Sequence, residues 1–482
     1  MNPHHNRRWA ILAVLGIAQL MVVLDATIVN IALPSAQQDL GFSDDSRQWI
    51  ITAYALAFGG LLPLGGRLSD LFGRKRAFLI GASGFALASA LGGMAGSFGV
   101  LVAARAVQGV FGALLAPAAL SLVSNTFTDP RERAKAFGIY GAIAGGGGAV
   151  GLLLGGLLTE YMSWRACLYV NLGFAIPAAL AGFALLRQEA RAARPRLDLA
   201  GVLTASAGLF GLVYGFSKAE TDGWGAAITL GCLAAGVVSL TVFVMIERRV
   251  KHPLLPLRVV LDRNRGGAYL AVAAAGAGIF GVFLFLTYYL QETLGYSPVK
   301  TGAAFLPMTA CLVAAAGASS AKLTPRVGPK PVIAVGLALC GAGMMLLTGI
   351  TVDSSYAAAV LPALCVVGLG MGLTMATAMG TATLGVRPED AGIASAMVNT
   401  GQQIGGSVGT AVLSTFASTA TTNYLAGKAA SPDVVAHAAV HGYTTAFWIS
   451  AGIFAAGAVV AGLLLRPGVP MRDPEAQPAF AH

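Results

Sequence analysis

The 482-residue chain is 56% hydrophobic and only 11% charged, where a soluble domain carries about 25% charged residues, so its composition excludes an ordinary water-soluble fold. The formal net charge of +10 raises the question of a nucleic-acid partner. The basic residues lie scattered in the short links between apolar segments rather than in one patch, which excludes nucleic acid.

In chain order, apolar windows of about 20 residues, the length that crosses a hydrocarbon core, fall at 9–33, 48–68, 77–97, 98–124, 136–158, 164–186 and 199–217. They continue at 225–246, 266–290, 300–321, 329–350, 356–380, 396–418 and 442–466. The first follows the basic stretch HHNRR but contains Asp25 and Asn30 and lacks a small-residue cleavage pattern, so it reads as a span and not a removed leader. With the N-terminus and every second loop assigned to the cytoplasm, only Arg47, Arg165, Lys218, Lys300 and Lys428 fall on the opposite side, and Arg105 lies inside a span. This asymmetry follows the positive-inside rule and predicts an even number of spans with both termini cytoplasmic. The expectation is an all-α integral membrane protein of fourteen transmembrane helices.

An internal repeat subdivides it. LSDLFGRKRA (68–77) and LTPRVGPKPV (323–332) share Leu68/Leu323, Gly73/Gly328 and Lys75/Lys330 at an offset of 255, and Gly138, Gly147, Gly151 and Gly155 fall on Gly392, Gly401, Gly405 and Gly409 at 254. Eight spans separate the matched pairs. A six-helix unit therefore needs two inserted spans, bracketed by the basic segments 187–196 and 247–258. The expected organisation is a six-helix bundle over 1–190, a two-helix insert over 191–262, and a second six-helix bundle over 263–482 ending in a short cytoplasmic tail. Parallel repeats of this kind are typical of secondary transporters, with the substrate site between them.

Asp25 is the most informative residue, because a carboxylate in a span is costly and usually functional. Desolvation disfavours the charged carboxylate and a nearby cation favours it, so such a group can gain a proton on one side and release it on the other. A structural ion pair is the alternative. Arg105 is the expected partner, since at about 1.5 Å per residue both lie roughly 10–12 Å below the outer boundary. Asp70 stands out as an acid in the basic turn around Arg74, with Gly66 and Gly73 allowing the bend and Arg131 and Arg133 as possible partners; Arg74 could itself pair with Asp129 or Glu132. The run GAIAGGGGAVGLLLGGLL (141–158) carries a stripe at Gly147, Gly151 and Gly155 that suits close helix packing in lipid. It is either a packing groove against a neighbour or a sliding contact between the two halves. Phe280, Phe283, Phe285, Tyr288 and Tyr289 face either lipid or a pocket. Asn399, Gln402 and Gln403 share one helical face, for interhelical bonds or for substrate. The five cysteines sit in apolar spans without paired spacing and read as small buried hydrophobes. No metal motif, nucleophile–base pair or cofactor motif is visible.

Several of these stretches, in this order, resemble the major facilitator superfamily. GRLSDLFGRKR (66–76) is similar to its signature loop, and LVAARAVQGVFGA (101–113) to its fourth-helix motif, with Arg105, Gln108 and Gly109 in place. LDATIVNIALP (24–34) and YLQETLGYSPVKTGAAFLP (289–307) resemble the fourteen-helix drug:proton antiporter branch. The glycine run resembles that branch's fifth-helix antiporter motif at Gly138, Gly147, Gly151, Gly155 and Gly156, but Leu152 stands where the motif has proline. The resemblance implies proton coupling through Asp25 and Arg105. It also implies a conformational latch made by Gly66, Asp70, Gly73, Arg74, Arg131 and Arg133.

The function expected is proton-coupled export of small amphipathic organic compounds, such as drugs or antibiotics, across a bacterial plasma membrane. Substrate contacts are expected from Asp25, Gln108, Phe280, Phe283, Tyr288, Asn399 and Gln403. Import or facilitation of a small metabolite on the same fold is the alternative, and Leu152 is its support. Neither an enzyme nor a nucleic-acid binder is expected. The partners are the small-molecule substrate, protons and lipid, and a monomer is expected with no metal or cofactor.

Overall fold

The structure is a computed structural model that describes residues 3–43, 46–127, 130–186, 198–250, 253, 255–384, 386, 391–429 and 431–468. Every regular element among them is helical, as a lipid solvent demands: only helices and closed barrels satisfy the backbone internally. Eleven helices among the described residues are long and apolar enough to cross a membrane. Large apolar side chains such as Leu87, Leu180, Phe183, Val238 and Leu463 lie exposed on the outside, a surface that fits lipid and not water.

The first six long helices are α1 (Pro3–Leu40), α2 (Gln48–Phe72), α3 (Arg74–Gly93), α4 (Phe98–Thr126), α5 (Pro130–Tyr161) and α6 (Ala166–Leu185). A hairpin follows, α7 (Leu199–Asp222) and α8 (Ala227–Arg249), then the short α9 (Leu257–Val260) and α10 (Arg263–Tyr288). The next crossing is broken into α11 (Pro298–Ala304), α12 (Leu306–Ala318) and α13 (Thr324–Val327). The chain continues through α14 (Pro329–Leu347), α15 (Leu361–Thr383), α16 (Ala391–Leu425) and α17 (Pro432–Leu464). Local sequence explains many starts. Ser97, Asp198, Asp262, Ser297 and Ser431 each accept a bond from the backbone N–H three residues on, which satisfies a donor orphaned at the helix start. Pro298, Pro329 and Pro432 occupy first-turn positions that need no N–H. Three π-helical turns interrupt the later helices, at Tyr289–Thr293, Ser319–Leu323 and Tyr356–Val360.

The repeat read from the sequence appears as matched geometry. Gly73 joins α2 to α3 at φ +89°, and Gly328 joins α13 to α14 at φ +82°, a region that favours glycine. Matched helix pairs also meet in the same way. α4 closes on α2 where Gly109 lies against the Tyr54 carbonyl, and α15 closes on α12 where Gly368 lies against the Met308 carbonyl. Gly81 seats α3 on Leu115 of α4, and Gly336 seats α14 on Thr374 of α15. Gly147, Gly151 and Gly155 seat α5 on α1, while Gly405 and Gly409 seat α16 on Ala273 and Ala277 of α10. The hairpin packs on itself through Gly208, Gly211, Gly215 and Gly236. It also touches both sets of helices: Ser206 donates to the Gly60 carbonyl of α2 (3.3 Å), and Thr415 of α16 donates to the Phe216 carbonyl (3.3 Å).

The glycine stripe therefore grips the first helix of its own half, not the opposite half, because the missing side chains let α5 sink onto α1. Gly156 is different. A Cβ there would lie 2.6 Å from the Pro298 carbonyl oxygen at the start of α11, and one on Gly302 of α11 would overlap the Leu152 carbonyl. On α5 the contact with the second half therefore runs through Leu152 and Gly156, each one position after a stripe glycine and so on an adjoining face of the helix.

These close approaches give a stability prediction. Gly109→Ala places a methyl 2.5 Å from the Tyr54 carbonyl and 2.9 Å from the Ala57 Cβ, so it should destabilise the protein by about 1–3 kcal/mol. Gly99→Ala, with nothing within 4 Å, should leave the thermal unfolding temperature of detergent-purified protein unchanged. Equal melting of the two variants would refute tight backbone packing at α2–α4.

Candidate functional site

The site is built from the centre of α1. Asp25 has no exposed surface and accepts three hydrogen bonds: Arg105 Nη1 of α4 at 2.6 Å to one oxygen, and Gln108 Nε2 at 2.9 Å and Asn171 Nδ2 of α6 at 2.8 Å to the other. The equal depth expected of Asp25 and Arg105 is realised as a direct ion pair. Arg105 also donates from Nε to the Ile50 carbonyl (3.2 Å) and from Nη1 to Gln108 Oε1 (2.8 Å), and its guanidinium lies 4.3 Å from the Tyr54 ring centroid. Gln108 Nε2 donates in turn to Ser89 Oγ of α3 at 2.7 Å. Helical spacing produces this shape, since Arg105 and Gln108 are one turn apart on one face of α4.

Two polar atoms in the cluster have no hydrogen-bond partner among the described residues, the Tyr54 hydroxyl and Asn171 Oδ1. On one side, Arg105 borders a recess lined by Val29, Ala32, Leu33, Leu101 and Leu168. These apolar side chains keep the charges in a low-dielectric setting, where paired hydrogen bonds are strong and an unpaired charge is costly. Among the described residues the second half has no such cluster. Aligning the matched helix contacts puts Ala274, Met344, Leu364 and Val367 where the first half has Asp25, Ser89, Arg105 and Gln108.

Asp25 and Gln108 thus lie wholly inside the first half, enclosed by α1, α2, α3, α4 and α6. The other expected substrate residues belong to the second half and are not brought to them. Phe280 is half-buried beside Gly406, and Phe283 meets the Phe305 ring at 5.3 Å. Tyr288 is buried and donates its hydroxyl to Gln37 of α1. Phe285 and Tyr289 are also fully buried, so this aromatic stripe faces the protein interior and not lipid. Gln403 lies where α16 crosses α2, its Cβ 2.7 Å from the position a Cβ on Gly59 would take, and Asn399 is half-buried one turn before it.

Of the expected latch, Gly66 and Gly73 are placed, and the side chains of Asp70, Arg131 and Arg133 lie outside the described residues, as do Gly138 and Asp129. Glu132 pairs with Arg8 at 3.3 Å. Lys75 donates to the Phe183 carbonyl at 2.7 Å. Sequence reasoning missed Asn171, Ser89 and Tyr54. Asn171 carried a usable signal, as a lone amide within the apolar span 164–186, the same kind of anomaly that marked Asp25.

A bundle of two like sets of helices, apolar outside and, among the described residues, holding an enclosed ion pair in one set, is the architecture of a membrane transporter. The chain belongs to the Major Facilitator Superfamily, whose family model matches residues 15–410, and it is a multi-pass transporter rather than an enzyme. It is 52% identical over 462 residues, 95% of this chain and 92% of the relative, to the puromycin resistance protein pur8 of Streptomyces alboniger. It is 40% identical to the cephamycin export protein CmcT of Amycolatopsis lactamdurans, over 83% of this chain and 82% of that one. It is 36% identical to the tetracenomycin C resistance and export protein of Streptomyces glaucescens, over 85% and 76%. The fold matches the POT family transporter PepTSo with a TM-score of 0.68 at 13% identity, covering 94% of this chain and 97% of that one.

The cluster makes a prediction about stability. Arg105→Met leaves Asp25 buried without its cation and should cost about 3–5 kcal/mol. Adding Asp25→Leu to Arg105→Met should recover much of that loss, because no charge then remains unpaired. Thermal unfolding of the single and double variants reads the difference, and a double variant less stable than either single one would refute the pairing account.

Proposed function

We propose that this protein is a proton-coupled exporter of small amphipathic, drug-like compounds, acting in a bacterial plasma membrane with both termini in the cytoplasm. The proposed organisation is fourteen spans arranged as six, two and six, working as a monomer. The named resistance and export functions of the relatives support export. The observation that carries proton coupling is the Asp25–Arg105–Gln108–Asn171 cluster, a carboxylate enclosed at mid-helix with a cation and two amides. A carboxylate so placed alternates between two stable arrangements. Ionised, it is held by Arg105 and the amides; protonated, it releases Arg105 and weakens the ties between α1, α4 and α6. Loss of those ties is a means of coupling protonation to the relative tilt of the helices.

In liposomes with an imposed pH gradient, Asp25→Asn should abolish uphill accumulation of substrate. Exchange of a neutral substrate at equal concentrations, which needs no net proton movement, should survive. Gradient-driven transport by Asp25→Asn at the wild-type rate would place the coupling proton elsewhere. Puromycin and other antibiotics are the first substrates to test, by resistance of a sensitive host that expresses the chain.

The latch is tested separately. Asp70→Asn should reduce transport at equal membrane abundance, because it removes one charge without disturbing the basic turn. Indistinguishable transport by mutant and wild type would reduce this loop to ordinary positive-inside charge.

A further inference from the structure

The connection between α1 and α2 sends one buried cation across to the other half. Arg47, just before α2, is only 7% exposed. Its guanidinium carbon lies 4.1 Å from the Tyr288 ring centroid, 5.8 Å from Phe285 and 5.9 Å from Tyr443. All three distances are within the range at which a ring face attracts a cation, and desolvation strengthens the attraction. The rings belong entirely to the second half, on α10 and α17, while the cation belongs to the first.

The rings also hold one another without Arg47. Phe285 and Tyr288 are one turn apart on α10, and Phe285 meets Tyr443 at 6.2 Å between centroids. The surrounding seam is the contact between halves at this end of the bundle. Tyr288 donates to Gln37, Gln291 Nε2 donates to the Ile31 carbonyl at 3.1 Å, and the Val299 N–H donates to Glu160 at 2.9 Å. Were the halves to part here, Arg47 would leave with the first half and the three rings, all carried by the second, would stay together.

We infer that Phe285, Tyr288 and Tyr443 form an organic-cation site, filled in this conformation by Arg47 and taken by an ammonium- or guanidinium-bearing amphipathic compound once the halves separate. Arg47 is a tethered stand-in ligand: planar, cationic, weakly hydrated and already bound. A transported cation that replaces it keeps the rings solvated by charge instead of by water, which lowers the cost of opening for cationic cargo relative to neutral cargo. The inference rests on the exporter reading for the identity of the occupant, and it adds where at the exit that occupant binds and which charge it must carry.

The test is equilibrium binding of benzyltrimethylammonium to the purified protein, without a pH gradient, so that its outcome is independent of proton coupling through Asp25. Arg47→Ala should bind the probe at least about tenfold more tightly than wild type, as loss of a competing desolvated cation requires. The uncharged carbon isostere neopentylbenzene should show no such gain, and Tyr443→Leu added to Arg47→Ala should remove it. Arg47→Gln, which keeps a polar unbranched side chain without the charge, carries the same expectation should the alanine variant fail to fold. Equal affinity of wild type and both Arg47 variants would overturn the proposal. So would an equal gain for the isostere, or a gain that persists without the Tyr443 ring. Loss of gradient-driven transport in Asp25→Asn together with unchanged probe binding would separate the two claims.

Discussion

Burying one carboxylate in a lipid-embedded bundle constrains the entire first half. A lone charge in such a setting is prohibitively expensive, so Asp25 needs a cation and donors from several directions at once. Arg105 and Gln108 arrive from α4 and Asn171 from α6; Ile50 and Tyr54 of α2 complete the shell of Arg105, and Ser89 of α3 that of Gln108. Five of the six helices are therefore tied through one residue on α1. The sixth, α5, makes no bond to the cluster among the described residues and docks on α1 through its glycines instead. The two attachments differ in kind: the first is directional and electrostatic, the second is steric and non-directional.

The second half repeats the scaffold without the chemistry. Its helix pairs close on the same glycine positions, but Ala274, Leu364 and Val367 replace the charged and amide residues, and the core there is made of apolar packing. What it offers in exchange is aromatic: Phe285, Tyr288 and Tyr443 receive Arg47 from the first half. The two halves thus divide the labour. One holds a titratable centre enclosed in its own interior, and the other presents rings at the seam between them.

Much of this was legible in the sequence, and the reasons differ by feature. Helix positions follow from apolar windows, because lipid permits nothing else. The repeat was legible from a handful of glycines, because turns at Gly73 and Gly328 and backbone contacts at Gly151 and Gly405 admit few other residues. Asp25 and Arg105 announced themselves as charges in spans, and similar depth was enough to pair them. Direction was not legible. A stripe of small residues shows that a helix packs closely but not on what, so α5 was free to face α1 or the opposite half. The aromatic stripe on α10 was ambiguous for the same reason. Arg47 was hidden in a different way, since an arginine in a short link looks like any loop charge until rings from two helices far along the chain gather around it.

The three π-helical turns, Tyr289–Thr293, Ser319–Leu323 and Tyr356–Val360, all fall in the second half among the described residues. Each inserts an extra residue into a turn closed by i→i+5 bonds, a rare feature that occurs frequently at functional sites. The first half, by contrast, is drawn tight around one ion pair. The consequence is an unequal winding of the backbone: three helices of the second half carry a wider turn, and the described helices of the first half carry none. The asymmetry between the matched sets of helices thereby lies in how the backbone is wound as well as in where the charge is buried.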